Sequence, residues 1–410
     1  MDAVINKTKL NSGLTIVSEH IPSVKSISIG IWVKSGARHE SEEQAGVTHF
    51  LEHMLFKGTK KRSAYQIAQS MESVGGYLNA FTSTEYTCYY ARCLDTELER
   101  ALDVLSDMVM NPTFPTDEIE KEKKVVVEEM KMYRDSPDDY LFEEFTSHLF
   151  QNHPLGRPIL GYEETVNAFT DAHLFDYMRQ RYAPENLIIA VAGNVDHEEV
   201  TQFCEKLFMN HDRSLHTQNL PNLPTLDTNP LHLSKSIEQT HYILGRRGLH
   251  FDDEQKYVML LVNTLLGGGM SSRLHQNIRE KYGYCYSIQT FNQSFTETGI
   301  WGVYVGTDKE YVKHVHELVV EQLQDLALKT VNNTELEEAK AQLKGKMLLS
   351  QENTSNRMMR LAKSEIYYQR HIDLDELVNH IDQVTAEDIL DFSADFMNQS
   401  HYVEATLTPK

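Results

Sequence analysis

Apolar and polar residues alternate with two different periods along the first half of the chain. A hairpin is predicted around Asn11-Ser12-Gly13, and the apolar run of residues 26–33 (SISIGIWV) predicts a buried strand. Ser41-Glu42-Glu43-Gln44 has the spacing of a capping box, which predicts that a helix begins there. Residues 77–83 and 86–92 are two further predicted strands.

The rest of the first half is predicted to be mainly helical, because its apolar residues recur with a period near 3.6. A short apolar strand closes this half before a last helix. These remaining elements are helices from about Ser63, Asp95, Asp117 and Asp196, helices over residues 137–149 and 171–182, and a strand over residues 187–192.

The chain length predicts two domains. Its 410 residues exceed what one compact core usually holds. Residues 211–230 carry three prolines and little apolar periodicity, which predicts a linker. The predicted domains are therefore residues 1–210 and residues 231–410.

The second domain repeats the plan of the first. Residues 29–58 resemble residues 242–269, with a strand, a glycine turn, acidic residues, an apolar helix and glycine in the same order. Residues 118–141 run similarly beside residues 335–358. We therefore expect a duplicated α+β fold, each copy a mainly antiparallel sheet packed against helices. The alignment puts His49 opposite Met259, Glu52 opposite Val262, His53 opposite Asn263, and Glu129 opposite Lys346.

The predicted helix around residue 50 carries candidate metal chemistry. An apolar stripe that includes Val47, Phe50 and Leu51 predicts one buried face. His49 and His53 fall together on another face, four residues apart, which is close enough to share one metal ion. Glu52 lies on the same face, better placed to reach a metal-bound water than the metal itself. This H-x-x-E-H order is the inverse of the HExxH arrangement.

A catalytic zinc usually takes three protein ligands and leaves a fourth position for water. The third ligand is expected from a separate helix, and the acidic segment TDEIEKEKKVVVEEMKMYRD supplies candidates. Spacing puts Glu122 and Glu129 on one face of that helix. Spacing alone does not choose among the candidates Glu120, Glu122, Glu128 and Glu129.

Composition narrows the class of protein. The formal net charge of −21 argues against nucleic-acid partners, which need a basic face. The sequence shows neither an apolar run long enough for a membrane span nor a signal-peptide pattern, so no membrane association is expected. Four cysteines without a CxxC pair are typical of reduced thiols, and we expect a cytoplasmic protein.

Several separated motifs resemble the pitrilysin or insulinase-type metallopeptidases. They are HFLEH (49–53), VVVEEMKMYRDSP (125–137), GGYLNAFTSTEYTCYY (75–90) and LLGGGMSSRLHQNIREKYGYCYSI (265–288). The likeness spans nearly the whole chain and is greatest to the two-domain branch, which includes the mitochondrial processing peptidase and bacterial processing proteases.

The resemblance implies a role for each matching residue. His49, His53 and Glu129 are implied as ligands of one Zn²⁺ per chain, and Glu52 as the general base. Glu122 is implied as a support of the site from behind the ligands. Two further implied pairs are Asn79 with Ala80, on an edge strand that binds the substrate peptide, and Arg279 with Tyr286, which approach the substrate and its carbonyl oxygen.

The resemblance also implies a zinc metalloendopeptidase that cleaves peptides or unfolded polypeptides. A homodimer is expected, because one chain carries both the zinc motif and the Arg279/Tyr286 pair. One alternative is a non-catalytic scaffold or peptide-binding subunit of the same fold. A di-iron protein is a second alternative, but it requires Glu-x-x-His pairs, and the residue three after Glu52 is Leu55.

Overall fold

The computed structural model of the chain describes residues 4–208, 213–216 and 220–410. Its strands form two sheets, and most of its helices lie in the connections between strands. The strands are β1 Val4–Lys9, β2 Thr15–His20, β3 Ser26–Val33, β4 Tyr77–Thr82, β5 Thr87–Leu94, β6 Leu187–Gly193, β7 Leu231–Lys235, β8 Thr240–Gly248, β9 Cys285–Ser294, β10 Gly299–Thr307 and β11 Val403–Pro409. The helices are α1 Val47–Met54, α2 Ala64–Glu72, α3 Leu98–Met110, α4 Thr116–Asp135, α5 Pro137–Leu149, α6 Glu163–Ala168, α7 Asp171–Arg181, α8 His197–Leu207, α9 Lys256–Gly267, α10 Val312–Leu328, α11 Asn333–Ser350, α12 Thr354–Tyr368, α13 Leu374–Gln383 and α14 Ala386–Phe396, with a π-helical segment at His275–Glu280.

Both sheets are mainly antiparallel. The first has the order β1-β2-β6-β3-β5-β4, in which β2 and β6 are the parallel pair. The second has the order β7-β11-β8-β10-β9, in which β7 and β11 are the parallel pair. From β2 onward the two sheets therefore share one connection pattern. The prediction of a duplicated α+β fold is confirmed, down to five helices between β5 and β6 and five between β10 and β11.

The chain forms two compact units, and each exchanges one segment with the other half of the sequence. The first unit contains residues 1–132, 153–222 and 351–371, and the second contains the remaining residues. Helix α12 belongs to the first unit because Met358, Leu361 and Ala362 pack with Trp32 and Ile188 of its sheet. Helix α5 belongs to the second unit for the same kind of reason, because Phe142 and Phe145 contact Phe291 of β9.

At its centre, the first sheet is covered on both faces. Every residue of β6 (LIIAVAG) is buried, because α12 covers one face and the main helical core covers the other. This explains why the β6 sequence is continuously apolar instead of alternating. Strand β4, by contrast, is an edge strand, and β5 is its one partner among the strands that the structure describes.

Most predicted element boundaries agree with the structure. Helix α2 begins after a capping box at Ser63, and α8 begins after Asp196, whose carboxylate accepts a hydrogen bond from the Glu199 N–H. The prediction that a helix begins at Ser41 is wrong: residues 42–44 form one 3-10 turn, and α1 begins only at Val47.

Part of the predicted linker, residues 211–212 and 217–219, lies outside the described residues. Within the described part, Arg213 donates to the carbonyl oxygens of Val109 and Met110. The boundaries of the predicted domains stay a prediction. In residues 4–208, 213–216 and 220–410, no helix has the length and apolar character needed to cross a bilayer.

Candidate metal centre

Helix α1 begins at a glycine that no other residue replaces easily. Gly46 has a φ of 90°, and a Cβ there would lie 2.4 Å from the carbonyl oxygen of Leu160. The buried carboxylate of Glu40 accepts hydrogen bonds from the N–H groups of Gly46 and Thr48 at 2.7 and 2.8 Å. Glu40 therefore caps the helix in place of the predicted Ser41.

The apolar face of α1 fixes the direction of its polar face. Val47, Phe50, Leu51 and Met54 are fully buried in the core of the first unit, as the sequence predicts. His49 and His53 consequently project together, with ring centroids 4.6 Å apart.

The structure brings Glu129 of α4 to these two histidines. Its Oε2 lies 3.7 Å from His49 Nε2 and 3.5 Å from His53 Nε2. The candidate ligand atoms of the three residues lie within 4.8 Å of one another. Glu128, the neighbour on the helix, instead pairs with exposed Lys131 at 2.6 Å. Spacing left the choice between these glutamates open, and the fold places Glu129, not Glu128, beside the histidines.

This donor set fits zinc. Metal–ligand bonds of about 2.0–2.2 Å in a tetrahedral site put ligand atoms roughly 3.3–3.5 Å apart, close to the two separations from Glu129. Burial, followed by the proximity of His53, lowers the pKa of His49 to about 3. His49 is therefore a neutral imidazole at neutral pH, which is the form that binds a metal.

Glu122 lies behind the histidines. Its Oε1 is 2.8 Å from His53 Nδ1, which leaves His53 Nε2 directed to the Glu129 side. Burial lowers the pKa of His53, but the Glu122 hydrogen bond and the nearby carboxylates outweigh burial and leave it raised. Burial raises the pKa of Glu122, but hydrogen bonds from His53 and Lys57 outweigh it and leave it lowered. Glu122 is thus held as a carboxylate that fixes the His53 ring.

Glu52 occupies the third polar position of α1, beside the metal-ligand group. Thr82 of β4 donates a hydrogen bond from its hydroxyl to Glu52 Oε2 at 2.6 Å. Burial raises the pKa of Glu52 above its ordinary value. A carboxylate with a raised pKa is suited to accept and later release a proton.

Strand β4 carries Asn79 and Ala80 along the free edge of the first sheet. The Ala80 N–H is bonded to the Asn79 side-chain oxygen at 2.9 Å. That N–H therefore faces away from β5. Successive residues of a strand alternate in the side to which their N–H and C=O groups point, so we infer that these groups of residues 78, 80 and 82 point toward the free edge. Because Thr82 of this strand also binds Glu52, the edge runs past the candidate general base.

Comparison with known proteins finds matches over most of the chain. A family model described as "Insulinase (Peptidase family M16)" matches residues 15–163, and one described as "Peptidase M16 inactive domain" matches residues 168–343. The chain is 39% identical over 406 residues to "Uncharacterized zinc protease YmxG" of Bacillus subtilis, covering 99% of this chain and 98% of that protein.

The chain belongs to peptidase family M16, the insulinase family.

Solved M16 structures share the fold. The crystal structure of a protease from Helicobacter pylori superimposes with a TM-score of 0.92 at 21% identity, covering 99% of this chain and 100% of that chain. An "M16 inactive domain" structure from Pseudomonas fluorescens gives a TM-score of 0.92 at 19% identity, covering 99% and 98%. At these identities the likeness establishes the duplicated M16 fold.

The remaining predicted site residues lie in the second unit of this M16 protein. Arg279 is the penultimate residue of the π-helical segment and donates to His275 Nε2 at 2.8 Å. Tyr286, on β9, is 62% exposed, so its hydroxyl is available to a ligand. The predicted roles of Arg279 and Tyr286 toward the substrate stay predictions.

Sequence reasoning missed three residues around the centre. Glu40 had no signal, because its contact with α1 depends on the turn before the helix. Thr82 lay within a quoted motif but had no assigned partner. Lys57 contacts Glu122 and could have been found, because it lies four residues after His53, about one turn further along the same face.

Proposed function

We propose that this M16 protein is a zinc metalloendopeptidase that cleaves peptides or unfolded polypeptides. The observation that supports this most directly is the grouping of His49, His53 and Glu129 beside Glu52. An open strand edge, tied to Glu52 through Thr82, lies next to that group. We further propose one Zn²⁺ per chain, held by His49, His53 and Glu129.

The proposed chemistry divides between the metal and the chain. When bound, zinc lowers the pKa of a water molecule to roughly 7 and polarises a carbonyl oxygen. Glu52 is the proposed general base: it takes a proton from the attacking water and then gives it to the leaving amine. Thr82 holds one Glu52 oxygen, which leaves the other for this proton.

Substrate orientation is proposed to use the free edge of β4. An extended peptide adds as a further strand by main-chain hydrogen bonds to Ala80 and its neighbours. To do so it displaces the Asn79 side chain from the Ala80 N–H. Backbone recognition of this kind requires an extended chain, so folded proteins are expected to resist cleavage. In this proposal Tyr286 donates to the carbonyl oxygen under attack, and Arg279 contacts the substrate.

The decisive experiment is Glu52→Gln with zinc content measured beside activity. We expect kcat on an unfolded polypeptide to fall by about 10²–10⁴-fold, since that is the typical contribution of a general base. Zinc should stay near one per chain, because Glu52 is not among the grouped ligand atoms. Loss of zinc together with activity would show that Glu52 binds the metal. A zinc-loaded wild type that binds peptides without cutting them would favour the scaffold alternative.

We also propose a homodimer in which Arg279 and Tyr286 of one chain serve the zinc centre of the other. Complementation tests this arrangement: Glu52→Gln is mixed with Arg279→Ala/Tyr286→Phe. Random pairing makes about half of the dimers mixed, each with one intact site, so roughly a quarter of wild-type activity should return. Mixed dimers without any rescue would contradict shared sites and leave the zinc proposal untouched.

A further inference from the structure

Lys57, just beyond the end of α1, is bonded to the residue that orients a metal ligand. Its Nζ lies 2.5 Å from Glu122 Oε2, while Glu122 Oε1 lies 2.8 Å from His53 Nδ1. The Glu122 side chain is 5% exposed, so these two contacts, and not water, satisfy its charge. Each carboxylate oxygen thus has its own donor.

The duplicated second unit shows which ion pairs are common to both halves. Lys123 pairs with Glu120 at 2.6 Å, and the aligned Lys340 pairs with Glu337 at 3.2 Å. This pair is present in both halves, with and without the proposed metal ligands, and therefore does not depend on the metal site.

The Lys57–Glu122 pair behaves differently. In the same alignment, Gly267 stands opposite Lys57 and Ala339 stands opposite Glu122. A side chain does not fit at Gly267, since a Cβ there would lie 2.4 Å from the Thr290 backbone nitrogen. Both members of the pair are thus absent from the half that lacks the histidines.

The geometry explains what Lys57 contributes. Glu122 and Glu129 lie seven residues apart on one face of α4, and each reaches a His53 nitrogen. With Oε2 free, Glu122 could rotate off Nδ1 or compete with Glu129 for the metal. We propose that Lys57 is a positioning residue of the zinc centre: by holding Glu122 Oε2, it keeps Oε1 on His53 Nδ1 and leaves Glu129 to supply the carboxylate ligand. This inference rests on the proposed zinc site.

Zinc affinity of the full-length protein, measured by competition with a chromophoric chelator, tests the inference. Lys57→Met should weaken zinc binding about tenfold, the lower end of the effect of groups that orient ligands. Lys57→Arg keeps a cation and should stay within about twofold of wild type. In a Glu122→Gln background, Lys57→Met should change the affinity less than about twofold, because Lys57 acts through Glu122.

The visible spectrum of the Co²⁺-substituted protein gives a second readout, independent of peptidase activity. The spectrum should change in Lys57→Met and return in Lys57→Arg, because it reports the ligand geometry. Lys60→Met is the matched control, since the Lys60 side chain is exposed on the same loop. If Lys57→Met does not fold, Lys57→Gln replaces it in every comparison.

Wild-type affinity and an unchanged spectrum in Lys57→Met would overturn the inference. A loss of the same size with and without Glu122 would also overturn it. Either result in a protein that still binds zinc and cleaves peptides leaves the proposed function standing. A wild type that binds no zinc would instead overturn both.

Discussion

Helices α1 and α9 follow equivalent strands of the two sheets and differ on one face. In α1 that face carries His49, Glu52 and His53. In α9 the aligned residues are Met259, Val262 and Asn263, of which the first two belong to the apolar core of the second unit. Apolar side chains at these positions pack in the second unit, so a helix at this place in the fold does not require titratable residues there. The first unit therefore carries buried titratable groups that only a function explains.

The partner helices α4 and α11 differ in the same way. Glu129 of α4 meets the two histidines, whereas the aligned Lys346 donates to the Gly268 carbonyl oxygen at 2.5 Å, just beyond the end of α9. A cation at a helix C-terminus is favourable, because the last carbonyl groups are unpaired. One position thus supplies a candidate metal ligand in one unit and a helix cap in the other.

The largest expected effect is loss of metal binding in the first unit. Glu129→Gln should weaken zinc affinity by about a hundredfold or more, since a neutral amide replaces a charged ligand. Glu128→Gln is the matched control and should stay near wild type, because Glu128 is 72% exposed and pairs with Lys131. Chelator competition on both variants measures this, and the opposite ranking would mean that Glu128 is the ligand.

The next prediction compares the effect of a carboxylate at two aligned positions, Glu52 in α1 and Val262 in α9. Val262→Glu should destabilise the protein by about 3 kcal/mol, because it buries a charge without a partner at a fully buried position. Glu52→Val makes the reverse change in α1 and should cost no stability in the metal-free protein, since burial already disfavours the Glu52 charge. Denaturant unfolding of both variants checks the pair. Equal destabilisation would show that Glu52 has a structural role.

The starts of α1 and α9 are expected to contribute to stability with a different dependence on pH. Burial raises the pKa of Glu40 at the start of α1 to about 7, whereas no side chain caps α9 at Gln255. A raised carboxyl pKa contributes stability that is fully present below about pH 4.5 and is lost as the pH rises through 7. The metal-free wild type should therefore lose about 3 kcal/mol over this range relative to Glu40→Gln. A constant difference between the two proteins from pH 4.5 to 8 would contradict the assignment.

Local sequence patterns predicted more of the fold than of the candidate metal site. The apolar stripe through Val47 and Phe50 determines which way α1 faces, so His49, Glu52 and His53 could be grouped from spacing alone. Glu129 could not be separated from Glu128 by spacing, because that choice depends on how α4 packs.

The wrong helix start and the missed contact near the site have the same physical origin. Ser41 has the sequence of a helix cap, but Gly46 adopts a left-handed conformation and Glu40 caps the helix instead. The contact between Thr82 and Glu52 joins a strand to a helix 30 residues earlier in the chain. No local period encodes contacts of this kind.

The segment exchange bears on how the protein is made. Residues 351–371 complete the first unit, where Met358 and Leu361 cover one face of its sheet. During synthesis from the N-terminus, that face stays uncovered until α12 leaves the ribosome, long after the zinc motif has emerged. A fragment that stops at residue 210 lacks α12 and would expose Trp32 and Ile188, and a fragment that starts at residue 231 lacks α5. The duplicated halves of this M16 protein are thus obliged to mature as one molecule.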